Sequence, residues 1–404
     1  MKKLTAIILL AQIFIASTEA QVAVKAETLY TVSTSPIQNA VVLIEGGKIK
    51  AVGKVGEINI PSNYTVYTTK TATPGLIDAR TLIGISGILN IPVDQDQIEK
   101  SSPVQPELRA IDAYNPNEAL VKYARSCGIT TIHTGHGIGA LFSGQTMIAK
   151  TKPGTTDNVT IKPLSMLAMT LGPSVSGNYS SPGTKAKEVS MIRSELIKAQ
   201  DYQKKMSNKD SSKRPAFDMK MDVLSQLLKG EIKALITANS SVDIMNAIRI
   251  AKEFNLKLVL DGAAEAYLLI DEIKKAKAEI ILHATMARNE DDMLNMTRES
   301  AALLTKAGIA VSIESGQEAY VPKTRIVLYE AALTLAFGQT FEEALKSITI
   351  NPAKLLGIDN NVGSIEVGKD ADIVLYNGDP FEYTTNVCTV IIDGQVVSEN
   401  ENCK

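Results

Sequence analysis

Thr73-Pro74-Gly75-Leu76-Ile77-Asp78-Ala79-Arg80-Thr81-Leu82 is the stretch on which the fold turns. Pro74 and Gly75 punctuate the chain, and an apolar run follows at once, so this reads as a hinge where a small β module feeds the first strand of a barrel. On the N-terminal side, Ala40 to Ile44 alternates like a strand, Glu45-Gly46-Gly47 supplies a turn, and Lys48 to Gly53 returns, which makes a hairpin. Near the other end, Ala371 to Tyr376 is strand-like, and two further strands meet at Asp393-Gly394, a strong two-residue turn signal. Both ends read as parts of one composite β-sandwich, residues 21–73 and 358–404.

Between them the pattern changes. Ile129 to His133, Ala234 to Thr237, Leu256 to Leu260, Glu279 to His283 and Ile309 to Ile313 are short, apolar and rich in β-branched residues. They read as buried parallel strands. The intervening segments carry helical spacing, with Val189, Ile192, Leu196 and Ala199 on one face and Ile244, Ala247, Ile248 and Ala251 on another. Residues 74–357 therefore fit an α/β (β/α)8 TIM-like barrel, usually about 250 residues before insertions. An open doubly wound sheet is less consistent, because no glycine-rich phosphate fingerprint follows an early strand. The glycine- and proline-rich region from Phe142 to Thr184 reads as a long loop at the barrel mouth, over the pocket.

The formal net charge of -2, without a basic face, argues against nucleic acid and points to a small-molecule ligand. Lys2 and Lys3 precede an apolar stretch from Leu4 to Ala16, and Thr18-Glu19-Ala20 supplies small residues for a cleavage site, so residues 1–20 read as a signal peptide. The apolar stretch is shorter than the roughly 20 residues that span a bilayer. Export to the periplasm without a membrane anchor after cleavage is the expectation. Of three cysteines, Cys388 and Cys403 flank the C-terminal hairpin, and either a disulfide between them, with Cys127 buried in a helix, or three free thiols fits the sequence.

Beyond these patterns the chain resembles the amidohydrolase superfamily. Asn39 to Gly53 resembles its first strand pair, Thr73 to Asp78 its first barrel strand, Asn351-Pro352-Ala353-Lys354-Leu355-Leu356-Gly357 a helix end, and Gly363 to Pro380 its returning β segment. The exported, imidazolonepropionase-like branch is the most similar, in a subgroup carrying DARTLIG in place of DAHTHLG. The resemblance implies a metallo-hydrolase barrel that hydrolyses C–N bonds in small amides, cyclic amides or peptide-like compounds. It also implies a divalent metal that lowers the pKa of bound water to about 7. In that family the positions of Arg80 and Leu82 hold a histidine pair, and further histidines fall near Thr237 and near Ala263 or Ala264. The standard two-metal site needs four histidines, whereas this chain has three.

The remaining candidates are drawn from predicted strand ends, where barrels place working groups. His133 and His136 are candidate pocket-lining residues and candidate ligands of at most one divalent metal such as zinc, with Glu314 or Asp96 as the carboxylate that completes a site. His283 reads as a hydrogen-bonded supporting group. Arg80 either binds a ligand carboxylate or pairs internally with Asp78 or Glu314, and Asp78 is carried with it as a substrate-side residue. Asp94 and Asp96 also fit a loop brace. Neither Ser143 nor Cys127 has a nucleophile's setting.

Two functional readings follow. One is a C–N hydrolase with a non-standard site. The other is a barrel without hydrolytic chemistry that serves as a ligand-binding subunit, as an oligomer or paired with a related amidohydrolase.

Overall fold

The structure, a computed structural model, describes residues 21–89, 91–316 and 325–403, so the signal-peptide reading of residues 1–20 lies outside it. The chain opens with β1 (Val22–Leu29), β2 (Ile37–Glu45), β3 (Lys48–Lys54) and β4 (Thr65–Pro74). β2 and β3 form the expected hairpin, turning on Gly46 and Gly47, both at positive φ. One residue past β4, β5 (Leu76–Thr81) begins, and all six of its residues are buried. Gly75 is required there, since a Cβ would lie 2.1 Å from Thr130 Oγ1.

The middle of the chain is a mixed α/β assembly. β6 (Ile129–Thr134) pairs parallel with β5, and β7 (Gly144–Gln145), β8 (Met147–Lys150) and β9 (Thr160–Lys162) follow it. Then come β10 (Met166–Thr170), β11 (Lys233–Ala238), β12 (Leu258–Gly262), β13 (Glu279–Leu282) and β14 (Val311–Ile313), each parallel to the next. These strands form a six-stranded sheet (β14-β13-β12-β11-β10-β7) and a four-stranded sheet (β5-β6-β8-β9). The two approach where Gly316 N donates to Arg80 O at 3.2 Å and Thr81 bridges Gly316 in parallel. Near-complete burial of β10 to β14 fits strands covered on both faces.

Helices cover this assembly as their spacing predicts. Lys185–Met206 buries Val189, Ile192, Leu196 and Ala199 on one stripe, and Thr184 Oγ1 caps it by accepting from Lys187 N. Ser241–Phe254 buries Ile244, Ala247 and Ala251, is capped by Ser240, and stops at left-handed Asn255. Cys127 sits one residue past the helix Ala119–Ser126, half-buried and free.

The region from Phe142 to Thr184 is not the long loop its composition predicts. It holds β7, β8, β9 and the interior strand β10, because Met147 to Lys150 and Met166 to Thr170 are completely buried runs. Gly144 and Gly172 punctuate it with φ of +132° and +125°, yet they sit at strand ends rather than in open loop.

The chain returns through β15 (Ile373–Tyr376), β16 (Val387–Ile392) and β17 (Gln395–Glu399), and β15 pairs antiparallel with β4. The two termini thus share one seven-stranded sheet, order β17-β16-β15-β4-β1-β2-β3, whose core includes Val24, Val42, Ile44, Ile373 and Ile391. Asp393 and Gly394 both take positive φ in the turn between β16 and β17. Cys388 and Cys403 form a disulfide with Cα atoms 5.5 Å apart. A buried ionic cluster ties this sheet to β8: Lys150 Nζ contacts Asp370 (2.7 Å), Asp372 (3.2 Å) and Asp393.

Candidate ligand pocket at the strand ends

The C-terminal ends of β5, β11, β12, β13 and β14 open into one cavity of about 320 Å³. Its floor is built from Arg80, Thr237, Asp261, His283 and Glu314. Each occupies the last residues of a buried strand or the first after one, so strand register alone brings them together.

Arg80 is 5% exposed. Its Nη2 donates to His136 O and its Nη1 to Thr81 O at 3.4 Å. Burial disfavours its charge, and Asp261, Glu314 and Asp78 offset that penalty. Asp78 Oδ1 accepts from Ser315 N (3.0 Å) and Arg80 N (3.3 Å), while Oδ2 is buried without a partner. Burial pushes Asp78 up to about 7, against those hydrogen bonds. Asp78 is fully buried and does not line the cavity, so it supports Arg80 and does not face a substrate.

Glu314 lines the cavity as expected, and burial followed by the facing Asp261 carboxyl raises its pKa well above the usual range. Asp261 Oδ2 accepts from Thr237 Oγ1. Reading the sequence for histidines passed over Asp261; the signal available was a lone aspartate closing an apolar barrel strand.

The histidine expectations are corrected. His133 is completely buried, with Nδ1 2.7 Å from Ala79 O and Nε2 2.7 Å from Thr146 Oγ1, so neither nitrogen is available to a metal or a substrate. Burial, then the Arg80 charge, lowers it to about 3, so the ring is neutral. His136 packs on Gly144, where a Cβ would come within 2.5 Å of its Cδ2, and does not line the cavity. Burial and then Arg80 lower His136 to about 4, against a hydrogen bond to the Asp96 backbone. The spacing of three therefore sends the two rings to different surroundings. Asp96 is exposed on the loop after Asp94, outside the cavity, and has no catalytic position. His283, read as a supporting group, does line it: Nδ1 donates to Ala284 O at 2.9 Å, leaving Nε2 an acceptor.

Among the described residues no three His, Cys, Asp or Glu side chains are placed to hold a metal. The donor set gives the reason. The floor puts a fixed guanidinium against Asp261 and Glu314, and a divalent cation there would face like charge at short range. These residues do not fit the two-metal centre of the resembled superfamily.

Comparisons with known proteins agree with the architecture. The sequence model of the Amidohydrolase family matches residues 71–397. Amidohydrolase tasK of Hapsidospora irregularis is 23% identical over 389 residues, covering 87% of this chain and 39% of that protein. Imidazolonepropionase of Shewanella frigidimarina (strain NCIMB 400) is 49% identical over 79 residues, 18% of this chain and 19% of that one. The chain thus spans well under half the length of these curated relatives. The crystal structure of an amidohydrolase from Thermotoga maritima MSB8 superposes with a TM-score of 0.88 at 28% identity, covering 94% of this chain and all of that one. A zinc-bound adenosine deaminase from Xanthomonas campestris, at 12% identity and a TM-score of 0.55 over 93% of this chain and 92% of that one, shares the fold alone.

Proposed function

Since this chain belongs to the amidohydrolase family, we propose that it is an exported small-molecule-binding member in which a buried arginine supplies the charge a metal would supply. Metal-hydroxide hydrolysis is absent in this reading. The observation that carries it is Arg80, buried at the end of β5 and compensated by Asp261, Glu314 and Asp78. Loss of a metal-bound nucleophile is not repaired by positioning alone.

The reading takes the two inner sheets as one closed (β/α)8-type barrel, supported by the Gly316–Arg80 hydrogen bond that joins their outer strands. Export is supported by Lys2, Lys3 and the apolar residues after them, and by the Cys388–Cys403 disulfide, which suits an oxidising compartment. A second reading, hydrolysis of a C–N bond in a small substrate, is favoured by the named activities of the relatives and by a Glu314 carboxyl whose pKa burial raises well above the usual range.

Metal analysis by elemental mass spectrometry, paired with a thermal-shift screen of small molecules, decides between them. The binding reading expects no stoichiometric metal and a ligand whose stabilisation disappears in Ala287→Trp, which fills the cavity mouth. About one zinc, manganese or iron per chain, with turnover of a small amide, overturns it.

A further inference from the structure

One wall of the cavity is a single stretch of chain. Between β13 and the helix Ser300–Lys306, residues 287–294 hold no regular structure beyond one short turn, Asp291–Met293. Ala287, Arg288, Glu290, Asp291, Asp292 and Met293 all line the cavity, yet none of the eight residues is buried. Main-chain bonds from Ala287 N to Ala284 O (3.0 Å), Glu290 N to Arg288 O (3.1 Å) and Met293 N to Glu290 O (2.9 Å) close local turns. Asn289 Nδ2 donates to Met296 O (3.0 Å) in the same loop.

Both ends of this stretch are anchored. Upstream, the fully buried Glu330 accepts from Met286 N (2.8 Å) and Thr285 Oγ1 (2.9 Å). Downstream, Asn295 Nδ2 donates to the buried Glu265 (2.7 Å), and the Tyr267 hydroxyl donates to Asn295 O (2.9 Å). Between the anchors, among the described residues, one hydrogen bond joins the stretch to the body of the protein: Asn239 Nδ2 donates to Asp292 Oδ2 at 3.1 Å. The seat for Asp292 is prepared. A Cβ on Gly172 would lie 3.4 Å from Asp292 Oδ2 and 3.6 Å from Asp243 Oδ2, so a glycine leaves room for both carboxyls. Lys185 is bound to Asp243 and offsets its repulsion of Asp292. Asp291 takes a left-handed φ of +50°, a bend that an aspartate tolerates, immediately before the latch residue.

We propose that residues 287–294 form a hinged lid over the cavity, latched by Asp292 against Asn239 and Gly172, and that its opening admits the ligand. Local opening is easiest where little apolar surface is buried and few bonds cross to the body, and this stretch meets both conditions while its anchors do not. Arg288, Glu290 and Asp291 travel with the lid, so these rim charges leave the mouth together. The gate rests on the reading of the cavity as the ligand site, but no ligand enters its test, so the two fail separately: Ala287→Trp judges the site and Asp292→Ala judges the gate.

The test uses the mature protein carrying Cys127→Ser, which removes the free thiol, and Ala284→Cys, which puts one on the cavity wall. Labelling by fluorescein maleimide, too large to enter beneath a closed lid, reads opening, and methyl methanethiosulfonate, a few atoms in size, is the control. Asp292→Ala should speed the maleimide at least tenfold, the change that loss of a hydrogen bond to a charged group brings, and barely alter the small reagent. Asn239→Ala should act alike, and the two together should add nothing, because they break one bond. Asp292→Asn keeps an acceptor for Asn239 Nδ2 and should stay close to wild type. Tryptic cleavage after Arg288, mapped by mass spectrometry without any introduced thiol, should accelerate in the same variants. Unchanged cleavage in a folded Asp292→Ala overturns the latch even if Ala284→Cys does not fold. Faster cleavage without faster maleimide labelling overturns the gate, and so does labelling in the wild-type background as fast as that of free cysteine. A gain in labelling that appears only with a lower urea midpoint for the whole chain makes Asp292 a brace of the fold, and the proposal falls.

Discussion

The guanidinium of Arg80 donates through Nη2 to the main-chain carbonyl of His136. One bond thus settles two candidate residues: Arg80 is held by the protein, and the backbone of the glycine-flanked turn at 135–137 is turned toward Arg80 and not toward a ligand. Arg80→Met should accordingly destabilise the fold by about 3–5 kcal/mol, the usual cost of removing one partner from a buried charge cluster. Urea denaturation reads it. A variant as stable as wild type would show that the buried acids around Arg80 do not depend on its charge.

Asp78 gives the pH dependence its sign. Its carboxyl rises from an ordinary 3.8 to about 7 in the folded state, first through burial. The folded protein therefore holds a proton that the unfolded chain releases, and stability falls as pH rises between those two values, then levels off. Asp78→Asn keeps an oxygen for Ser315 N and places a donor at the orphaned Oδ2 position, so it should flatten that part of the profile. Urea midpoints from pH 4 to 8 check it; an unchanged slope would show that Asp78 ionises freely.

Lys150 should be as costly to remove as Arg80. Burial would lower its pKa, but the carboxylates of Asp372, Asp393 and Asp370 outweigh that and raise it. Lys150→Met strands Asp372 between β8 and the terminal sheet, whereas Asp370 keeps Lys48 and Asp393 keeps Lys152, and a loss of about 3–5 kcal/mol follows from the same rule. The triple change Lys150→Met with Asp372→Asn and Asp393→Asn, which neutralises two of the three aspartates as well, should recover part of it. Loss of stability that these asparagines do not relieve would show that packing, and not charge, is at stake.

The disulfide closes a 15-residue separation. Reduction should cost about 3 kcal/mol by loop entropy. An unreduced tryptic digest should contain the Cys388 and Cys403 peptides joined, and a reductant should lower the urea midpoint of the wild type but not of a Cys388→Ser, Cys403→Ser variant. Two freely alkylated cysteines would remove this constraint.

Most of the architecture was legible because local signals agreed with the global pattern. Asp393-Gly394, the β2–β3 turn and the buried stripes of the two long helices are all set by short-range chemistry. β10 was hidden, since Met166 to Thr170 is a short apolar run among glycines and prolines, and only its pairing with β11 and β7 makes it an interior strand. The site was legible by position but not by role. Strand ends pointed to Arg80, Glu314 and the histidines, yet the direction of a side chain at a strand end depends on neighbours distant in sequence: Thr146 takes His133, Gly144 makes room for His136, and Gly262 opens the space beside Asn239.

The pairing of β4 with β15 has a consequence for how the molecule is made. Thr69 Oγ1 donates to Tyr376 O at 2.6 Å across 307 positions of chain. While the chain is still emerging, one flank of β4 has no neighbour, and its main-chain N–H and C=O groups stay open to any extended segment that arrives first. Closure over so long a loop is slow. Newly made copies crowded together therefore face a choice between waiting for their own ends and borrowing those of a neighbour, and an exchanged dimer joined through this seam is the misassembly this topology invites.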